Sequence, residues 1–405
     1  MRKPKFVSLI ASALAACLLT ASTGCSTAQT PSDAQNELSF FQSVTISQAN
    51  GDVSYTPTIS ANPSEKLEVP LLSGDIYEVC KNYKLFITDK YNKNAEDLFA
   101  PTPLTISWES QETPLYYILD LSTNSDMSDA ESYVTFDTSV TLDYLFMGYD
   151  YYYQIQAKFE DRVVKSRIFE FSTSYLPRTV YVDDKVSNTR DWGGYLCEDG
   201  IHRVKQGIIY RGGKLEDITE SGLQVMRNAL GIRTDLDVRG DGESNVKISP
   251  LGADVNYIET KGPYYTGNTG INFSGALSAE RQAYKDALIT EIRAFANPDN
   301  FPIYVHCSLG RDRTGTICFL INALLGVEST DLYRDYEISM MSKTGKLDGQ
   351  SATYMVGSAF RGLYNYIQYY TSGTLAEKTE KYMLDLGITA EEIAAIRANM
   401  LEEVK

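Results

Sequence analysis

The chain has 405 residues, of which 43% are hydrophobic and 22% are charged, and its formal net charge is −16. This length exceeds that of one ordinary domain and the composition is that of a globular protein, so we expect two domains and a processed segment. The negative charge argues against nucleic acid or an anionic membrane surface as a partner. An anionic substrate would therefore need a site that is positive locally.

Residues 1–25 have the pattern of an export signal. A basic start, MRKPK, precedes the apolar run FVSLIASALAACLLTA, which is rather short for a membrane-spanning helix. STGC ends at Cys25, and residues 26–37 form a polar tether. This pattern resembles a bacterial lipoprotein signal, which implies lipidation of Cys25 and attachment to the outer face of a bacterial membrane through the lipid alone. Lipidation of Cys17 and an ordinary cleaved secretory signal are the alternatives.

Residues 38–175 contain short stretches in which apolar and polar residues alternate, namely PLTISW, LYYILDLS, YYYQIQAKF and VKSRIFEFSTS. Alternation predicts half-buried strands, and several strands at this spacing predict an all-β sandwich. Residues 100–174 resemble a fibronectin type III module, with Trp108 as the early core residue and Leu145 before Tyr151–Tyr153 as the later signature. We find no chemistry in this region, so spacing or adhesion is the expected role.

Residues 176–405 change in pattern. GIIYRGG, IRTDLDVRG, DVNYIET and FPIYVHC read as strands, whereas DITESGLQVMRNALG and Ser278–Ala296 read as helices. Further helices are expected to the end of the chain, one of them opening with the capping box of Thr389 and Glu392. Strands that alternate with helices predict an α/β domain with a mostly parallel central sheet flanked by helices.

The stretch HCSLGRDRTG concentrates polar side chains between two apolar runs. A strand is expected to end at Cys307 and a helix to begin near Arg311. A loop between a strand and a helix N-terminus directs backbone N–H groups and the helix dipole at one spot, which is an anion site. Gly310 would allow the tight backbone that such a loop needs.

Side chains of this stretch suit phosphate chemistry. The planar fork of Arg313 can bind two phosphate oxygens. In that positive field the pKa of Cys307 would fall, making it a thiolate nucleophile. His306 is placed to orient the loop and stabilise the thiolate, and the Thr314 hydroxyl can bond the sulfur.

These residues resemble the H-C-x5-R-[ST] signature of cysteine-dependent protein tyrosine and dual-specificity phosphatases. The resemblance implies catalysis by Cys307 through a phosphocysteine intermediate, without a metal or another cofactor. It implies a phosphorylated protein or a small phosphomonoester as substrate. The phosphate-binding residues would be Ser308, Leu309, Gly310, Arg311, Arg313 and Thr314.

Four further stretches resemble the bacterial tyrosine/lipid phosphatases often called atypical dual-specificity phosphatases, namely SNTRDWGGY, IIYRGGKL, LGIRTDLDVRGDGE and DLYRDYEIS. This subgroup usually has Lys before the loop Asp, where this chain has Arg311. A second positive group at the site favours, as an alternative, an inositol phosphate or phosphoinositide phosphatase. A catalytically inactive surface binding protein is an alternative from another class.

A general acid must protonate the leaving oxygen. The resemblance implies that Asp312 is this acid, and the alternative is a structural partner of Arg311 or Arg313. Asp237 is the second candidate, although a salt bridge with Arg239 explains it equally well. By analogy with the family, Arg190 and Asp191 border the pocket. A turn fixed by Gly193 and Gly194 is the alternative for these two residues.

Overall fold

The computed structural model describes residues 41–48, 67–69, 101–175, 177–240, 242–244, 246–263, 265, 270–342 and 359–404. The expected signal, tether and lipidation site, with Cys17 and Cys25, lie outside these residues. The described residues form two compact units: one comprises residues 41–48, 67–69 and 102–175, and the other comprises Pro101 and the residues from 177 onwards. Within the described segments, no helix is long and apolar enough to cross a membrane.

The described part of the first unit is built from β-strands. Their bounds are β1 Phe41–Gln48, β2 Leu67–Val69, β3 Leu104–Ser110, β4 Tyr116–Ser122, β5 Glu131–Thr135, β6 Ser139–Leu142, β7 Asp150–Lys158, β8 Val163–Lys165 and β9 Phe169–Thr173. One sheet has the order β1-β3-β6 and the other has the order β2-β9-β7-β4-β5, with β8 also paired to β7. All pairs are antiparallel except β2 with β9.

Alternation along these strands produces the core of the first unit. Strand β7 buries every second residue, and Ile155 is fully buried. Trp108 on β3 meets the ring of Tyr117 on β4 edge to face, with centroids 5.2 Å apart, so the inner faces of the two sheets touch there. The four alternating stretches are strands as expected. However, the last of them is divided into β8 and β9, and β5 and β6 were not expected.

The second unit is an α/β domain, as the sequence predicted. Its strands are β10 Arg190–Asp191, β11 His202–Val204, β12 Ile209–Gly212, β13 Thr234–Asp237, β14 Asn256–Glu259, β15 Ile303–His306 and β16 Leu401–Glu403. The central sheet has the order β10-β12-β15-β13-β14, in which only β10 is antiparallel. Parallel strands end on the same edge, so the residues that follow them meet there.

Helices accompany this sheet. Their bounds are α1 Glu220–Gln224, continued by a π-helical turn at Val225–Ala229, α2 Ala279–Ala294, α3 Asp312–Leu325, α4 Ser329–Glu337, α5 Arg361–Gln368, α6 Leu375–Leu386 and α7 Ala390–Met400. Short 3₁₀ turns lie at Pro298–Asn300 and Ile338–Met341. Helix α7 opens with the capping box of Thr389 and Glu392 that the sequence predicted. Helices do not continue to the end, because β16 pairs with β11.

Candidate active site

The signature stretch lies at the carboxyl end of the central strand. Strand β15 is buried along its whole length, Cys307 follows it directly, and α3 begins at Asp312. This strand–loop–helix arrangement is the one expected from the sequence. It forms because IYVH is a short apolar run that fits between β12 and β13. Ser308, Leu309, Gly310 and Arg311 make the connecting turn.

Gly310 is required by two separate constraints. Its φ of +65° lies in the left-handed region, which side chains disfavour. A Cβ atom built on Gly310 would stand 2.2 Å from the carbonyl oxygen of Gly212, at the end of β12. The loop can therefore lie directly against the neighbouring strand only with glycine at this position.

The carbonyl groups of the loop are held on its outer side. The Asn188 side-chain amide donates to the carbonyls of Leu309, at 2.9 Å, and Gly310, at 3.0 Å. Arg211 Nη2 donates to Gly310, at 2.8 Å, and Lys214 N to Ser308, at 3.4 Å. In a planar trans peptide the N–H points opposite to the C=O. The intervening N–H groups therefore point away from the donors that bind the carbonyls, as in an anion cradle.

A buried ion network fixes the residues that hold the loop. The Asp335 carboxylate on α4 accepts from Arg190 Nε at 3.0 Å and from Arg211 Nη1 at 2.5 Å. Burial alone would raise the pKa of Asp335, but the two guanidinium groups lower it. Arg190 also bonds Asn188 Oδ1 at 2.6 Å. The buried Asp335 carboxylate therefore connects α4 to the loop through Arg211, which also donates to the carbonyl of Gly310.

Arg190 and Asp191, which the family resemblance placed at the border of the pocket, are both buried. Arg190 is fully buried in the network just described. Asp191 pairs with Arg178 at 2.5 Å and accepts the backbone N–H groups of Gly193 and Gly207. Their part is structural: Arg190 orients Asn188, and Asp191 fixes the turn.

His306 contacts the loop at the backbone of Cys307. Its Nε2 lies 2.9 Å from Asp235 Oδ1 in a buried ion pair, and its Nδ1 lies 3.4 Å from the carbonyl oxygen of Cys307. Burial opposes the charged imidazole, but Asp235 outweighs burial and raises the pKa of His306 to about 9. The imidazole of His306 is therefore positively charged at neutral pH, and it lies next to the carbonyl oxygen of Cys307.

The thiol of Cys307 is buried and activated. Burial alone would raise its pKa, but Arg313 and the hydroxyl and backbone N–H of Thr314 outweigh burial, so the pKa is lowered from its ordinary value. The negative charge of Asp312 opposes this shift. Cys318, buried on α3, provides a contrast, since burial raises the pKa of that thiol to about 12.

Arg313 is held by a carboxylate that the sequence analysis missed. Its Nη1 and Nη2 donate to the two oxygens of Glu243, each at 2.7 Å, and Nη1 also donates to the carbonyl of Arg239 at 2.9 Å. Ser308 Oγ donates to the same carboxylate at 3.3 Å. Arg313 lowers the pKa of Glu243, which therefore stays ionised beside the loop.

Asp312 receives several donors. Its Oδ1 accepts from the hydroxyls of Tyr265 and Tyr336, the latter at 3.2 Å, and from Arg311 Nε at 2.8 Å. The side chain is nevertheless 27% exposed, and its charge acts on Cys307. By contrast, the Arg311 side chain is only 3% exposed and forms an ion pair with Asp312. This placement does not favour Arg311 as a contact for a second phosphate group.

Asp237 and Arg239 form a buried support. Asp237 accepts from the backbone and side chain of Arg239 and from Tyr257 Oη at 3.0 Å. Burial raises the pKa of Asp237, but Arg239 and His306 outweigh it, so the pKa is lowered. Arg239 pairs in addition with Glu216 at 2.5 Å. The contacts agree with the salt-bridge interpretation of Asp237, and Arg239 in turn presents the carbonyl that holds Arg313.

Most of the functional residues that the sequence did not predict lie in stretches that resemble the phosphatase family, and Tyr265 is the exception. Asn188, Arg211, Glu243 and Asp335 all lie within the four stretches that carried the finer resemblance, where only some positions were interpreted. Tyr265 lies in no such stretch. Across the described residues, no group of three or more His, Cys, Asp or Glu side chains is placed to hold a metal ion.

The tyrosine phosphatase family matches residues 183–402, which is more than half of the chain. The sheet, the helices and the Cys307 loop all lie within this match. The chain therefore belongs to the tyrosine phosphatase family.

Individual relatives cover smaller parts. A Cupriavidus necator protein, described as a candidate tyrosine-protein phosphatase, is 29% identical over 168 residues, which are 38% of this chain and 60% of the relative. A Dictyostelium discoideum protein described in the same way is 32% identical over 66 residues, which are 16% of this chain and 40% of the relative. The chain thus spans 60% and 40% of the length of these two relatives.

Two solved structures resemble the chain weakly. The core catalytic domain of the PP-IP phosphatase Siw14 from S. cerevisiae, in complex with citrate, is 16% identical, with a TM-score of 0.26 over 38% of this chain and 84% of that one. A second structure of the Siw14 catalytic core is 14% identical, with a TM-score of 0.24 over 38% of this chain and 89% of that one.

Proposed function

We propose that the protein is a cysteine-dependent phosphatase that hydrolyses phosphotyrosine or related phosphomonoesters. The observation that carries this proposal is the position of Cys307 at the start of a loop whose carbonyls are bound by Asn188 and Arg211, with Arg313 close enough to lower the pKa of the thiol. A thiolate is the nucleophilic form of cysteine, and inward N–H groups with a helix N-terminus bind a dianionic phosphate.

In the first step, the Cys307 thiolate attacks phosphorus while the bond from phosphorus to the leaving oxygen breaks. Arg313 and the loop N–H groups stabilise the charge on the three phosphoryl oxygens. Asp312 gives its proton to the leaving oxygen, and a phosphocysteine remains. In the second step, water attacks phosphorus, Asp312 accepts the water proton, and the thiolate leaves. Neither step requires a metal ion.

The proposal is tested by turnover of p-nitrophenyl phosphate with the purified chain and excess chelator. Cys307→Ser should lower kcat at least about a thousandfold, because the nucleophile is lost. The variant should still bind inorganic phosphate or vanadate. Cys318→Ser is the matched control, since it removes a buried thiol of the same unit, and it should retain turnover. Loss of activity with chelator, or equal activity of Cys307→Ser, would contradict the proposal.

The substrate class follows from a second measurement. The ratio of kcat/KM for a phosphotyrosine peptide to that for inositol phosphates separates the proposed activity from the inositol phosphatase alternative. We expect the peptide to be preferred, because the buried Arg311 is engaged with Asp312. A preference for the inositol phosphates would reverse this assignment. An inactive binding protein would turn over neither.

We propose further that the first unit is a fibronectin type III-like module that spaces the phosphatase unit from a membrane. Support comes from its two sheets and from Trp108 in its core. The sequence before it supports export and lipidation of Cys25. Mass spectrometry of the N-terminus of the protein made in a bacterium tests this: Cys25→Ser should remove the lipid, whereas Cys17→Ser should not. An unmodified N-terminus would contradict the lipid anchor.

A further inference from the structure

The carboxylate of Asp312 is the meeting point of two tyrosine hydroxyls. Tyr265 Oη donates to Oδ1, and Tyr336 Oη lies 3.2 Å from the same oxygen. The two hydroxyls are 2.5 Å apart. Arg311 completes the set, with Nε at 2.8 Å from Oδ1 and Nη2 at 3.2 Å from Oδ2. Three polar groups therefore lie around Oδ1, and Tyr265 is the hydroxyl that donates to it at the shorter distance, while one longer contact reaches Oδ2.

The two tyrosines are fixed by different elements. Tyr336 lies on α4, and its ring stacks on Phe360 with centroids 4.6 Å apart. Tyr265 follows β14 with a positive φ of 57°, and its backbone N–H donates to Thr316 Oγ1 on α3 at 3.0 Å. Because Thr316 is four residues after Asp312 on the same helix, Tyr265 is anchored to the helix that carries the carboxylate.

The hydroxyl of Tyr265 acts as a fixed donor. Burial, followed by the neighbouring Tyr336 and Asp312, raises the pKa of Tyr265 far above its ordinary value, so its proton stays in place at any working pH. A donor that never titrates can hold one oxygen of a carboxyl group through a reaction cycle without itself exchanging protons.

We propose that Tyr265 is a positioning residue for proton transfer by Asp312, which it orients by holding Oδ1 so that Oδ2 carries the transferred proton. This role rests on the proposed function. As the sulfur–phosphorus bond forms and the bond to the leaving group breaks, the Oδ2 proton passes to the leaving oxygen. The attacking water later returns a proton to Oδ2, and Tyr265 keeps its own proton throughout.

The test is Tyr265→Phe, which removes only the hydroxyl, measured with aryl phosphates whose leaving groups differ in pKa. For poor leaving groups, kcat should fall by about ten- to a hundredfold, since general acid catalysis is worth about that much or more. For an activated leaving group, which needs little protonation, kcat should change less than about threefold. The slope of log kcat against leaving-group pKa should therefore become steeper, with KM little changed.

Two controls separate positioning from a general loss of structure. Tyr257→Phe removes a hydroxyl of the same kind from the other carboxylate, Asp237, and its effect should not depend on the leaving group. In the Asp312→Asn background, Tyr265→Phe should cause no further change in slope, because the two residues act as one unit. The melting temperature of each variant monitors folding.

The possible outcomes are distinct. If turnover requires Cys307 but Tyr265→Phe lowers kcat equally for all leaving groups, the role of Tyr265 is overturned and the proposed function stands. A further steepening in the Asp312→Asn background would also overturn it, since Tyr265 would then act independently of Asp312. If the Cys307→Ser variant turns over substrate as fast as the parent chain, the proposed function fails, and the role of Tyr265 fails with it.

Discussion

At the scale of single residues, the pair of Arg313 and Glu243 determines how a phosphate would meet the site. The carboxylate occupies the fork between Nη1 and Nη2. Phosphate must therefore bind to an arginine that already carries a carboxylate, and the two anions repel each other.

This repulsion predicts that Glu243→Gln tightens the binding of inorganic phosphate about fivefold. Removing one close, partly exposed charge is worth about 1 kcal/mol. The measurement is the inhibition constant of phosphate against an aryl phosphate. Glu216→Gln is the control, because Glu216 pairs with Arg239 instead. Weaker phosphate binding by Glu243→Gln would mean that the carboxylate serves to hold Arg313 in place.

At the scale of elements, helix α2 carries a buried carboxyl group. Glu291 is 1% exposed and accepts from Thr260 Oγ1 at 2.7 Å, and burial raises its pKa to about 8. In the unfolded chain a glutamate has a pKa of about 4.3. The folded state therefore binds one more proton than the unfolded state between these values, and stability falls as pH rises through this window.

Glu291→Gln should remove this pH dependence, since the amide resembles the protonated acid and can still accept from Thr260. The free energy of unfolding of the variant minus that of the parent chain should therefore increase between pH 5 and pH 9, by at most about 4 kcal/mol. Urea unfolding at both pH values measures the gain. Glu280→Gln, on the exposed side of α2, should change stability little at either pH. Parallel curves for Glu291→Gln and the parent would contradict the prediction.

At the scale of the whole molecule, each unit contains one of the two tryptophans of the chain. Trp108 is buried in the first unit and Trp192 in the second. The Trp192→Phe variant therefore keeps Trp108 as a fluorescent reporter of the first unit. The Trp108→Phe variant keeps Trp192 as a reporter of the second unit. Because a ligand stabilises only the unit that binds it, phosphate should raise the unfolding midpoint reported by Trp192.

The midpoint reported by Trp108 should not move with phosphate, provided that the units unfold independently. Chloride at the same ionic strength controls for a general salt effect. Equal shifts of both reporters would show that the two units unfold together.

The sequence by itself determined the signature loop, the α/β character of residues 176–405 and most of the strands and helices. These features depend on neighbours in the chain: the alternation that buries one face of β7, the capping box that begins α7, and the run IYVH before Cys307. Local patterns such as these act over a few residues, so they can be read without the fold.

The tertiary structure alone decided which distant side chains serve the loop. Glu243 reaches Arg313 across 70 positions of the chain, and Asn188 reaches Leu309 across 121. Arg190 and Asp335 become a buried support only because the fold brings β10 and α4 together. Neighbouring groups set the direction of each thiol pKa: burial raises both, and only at Cys307 do Arg313 and Thr314 outweigh it.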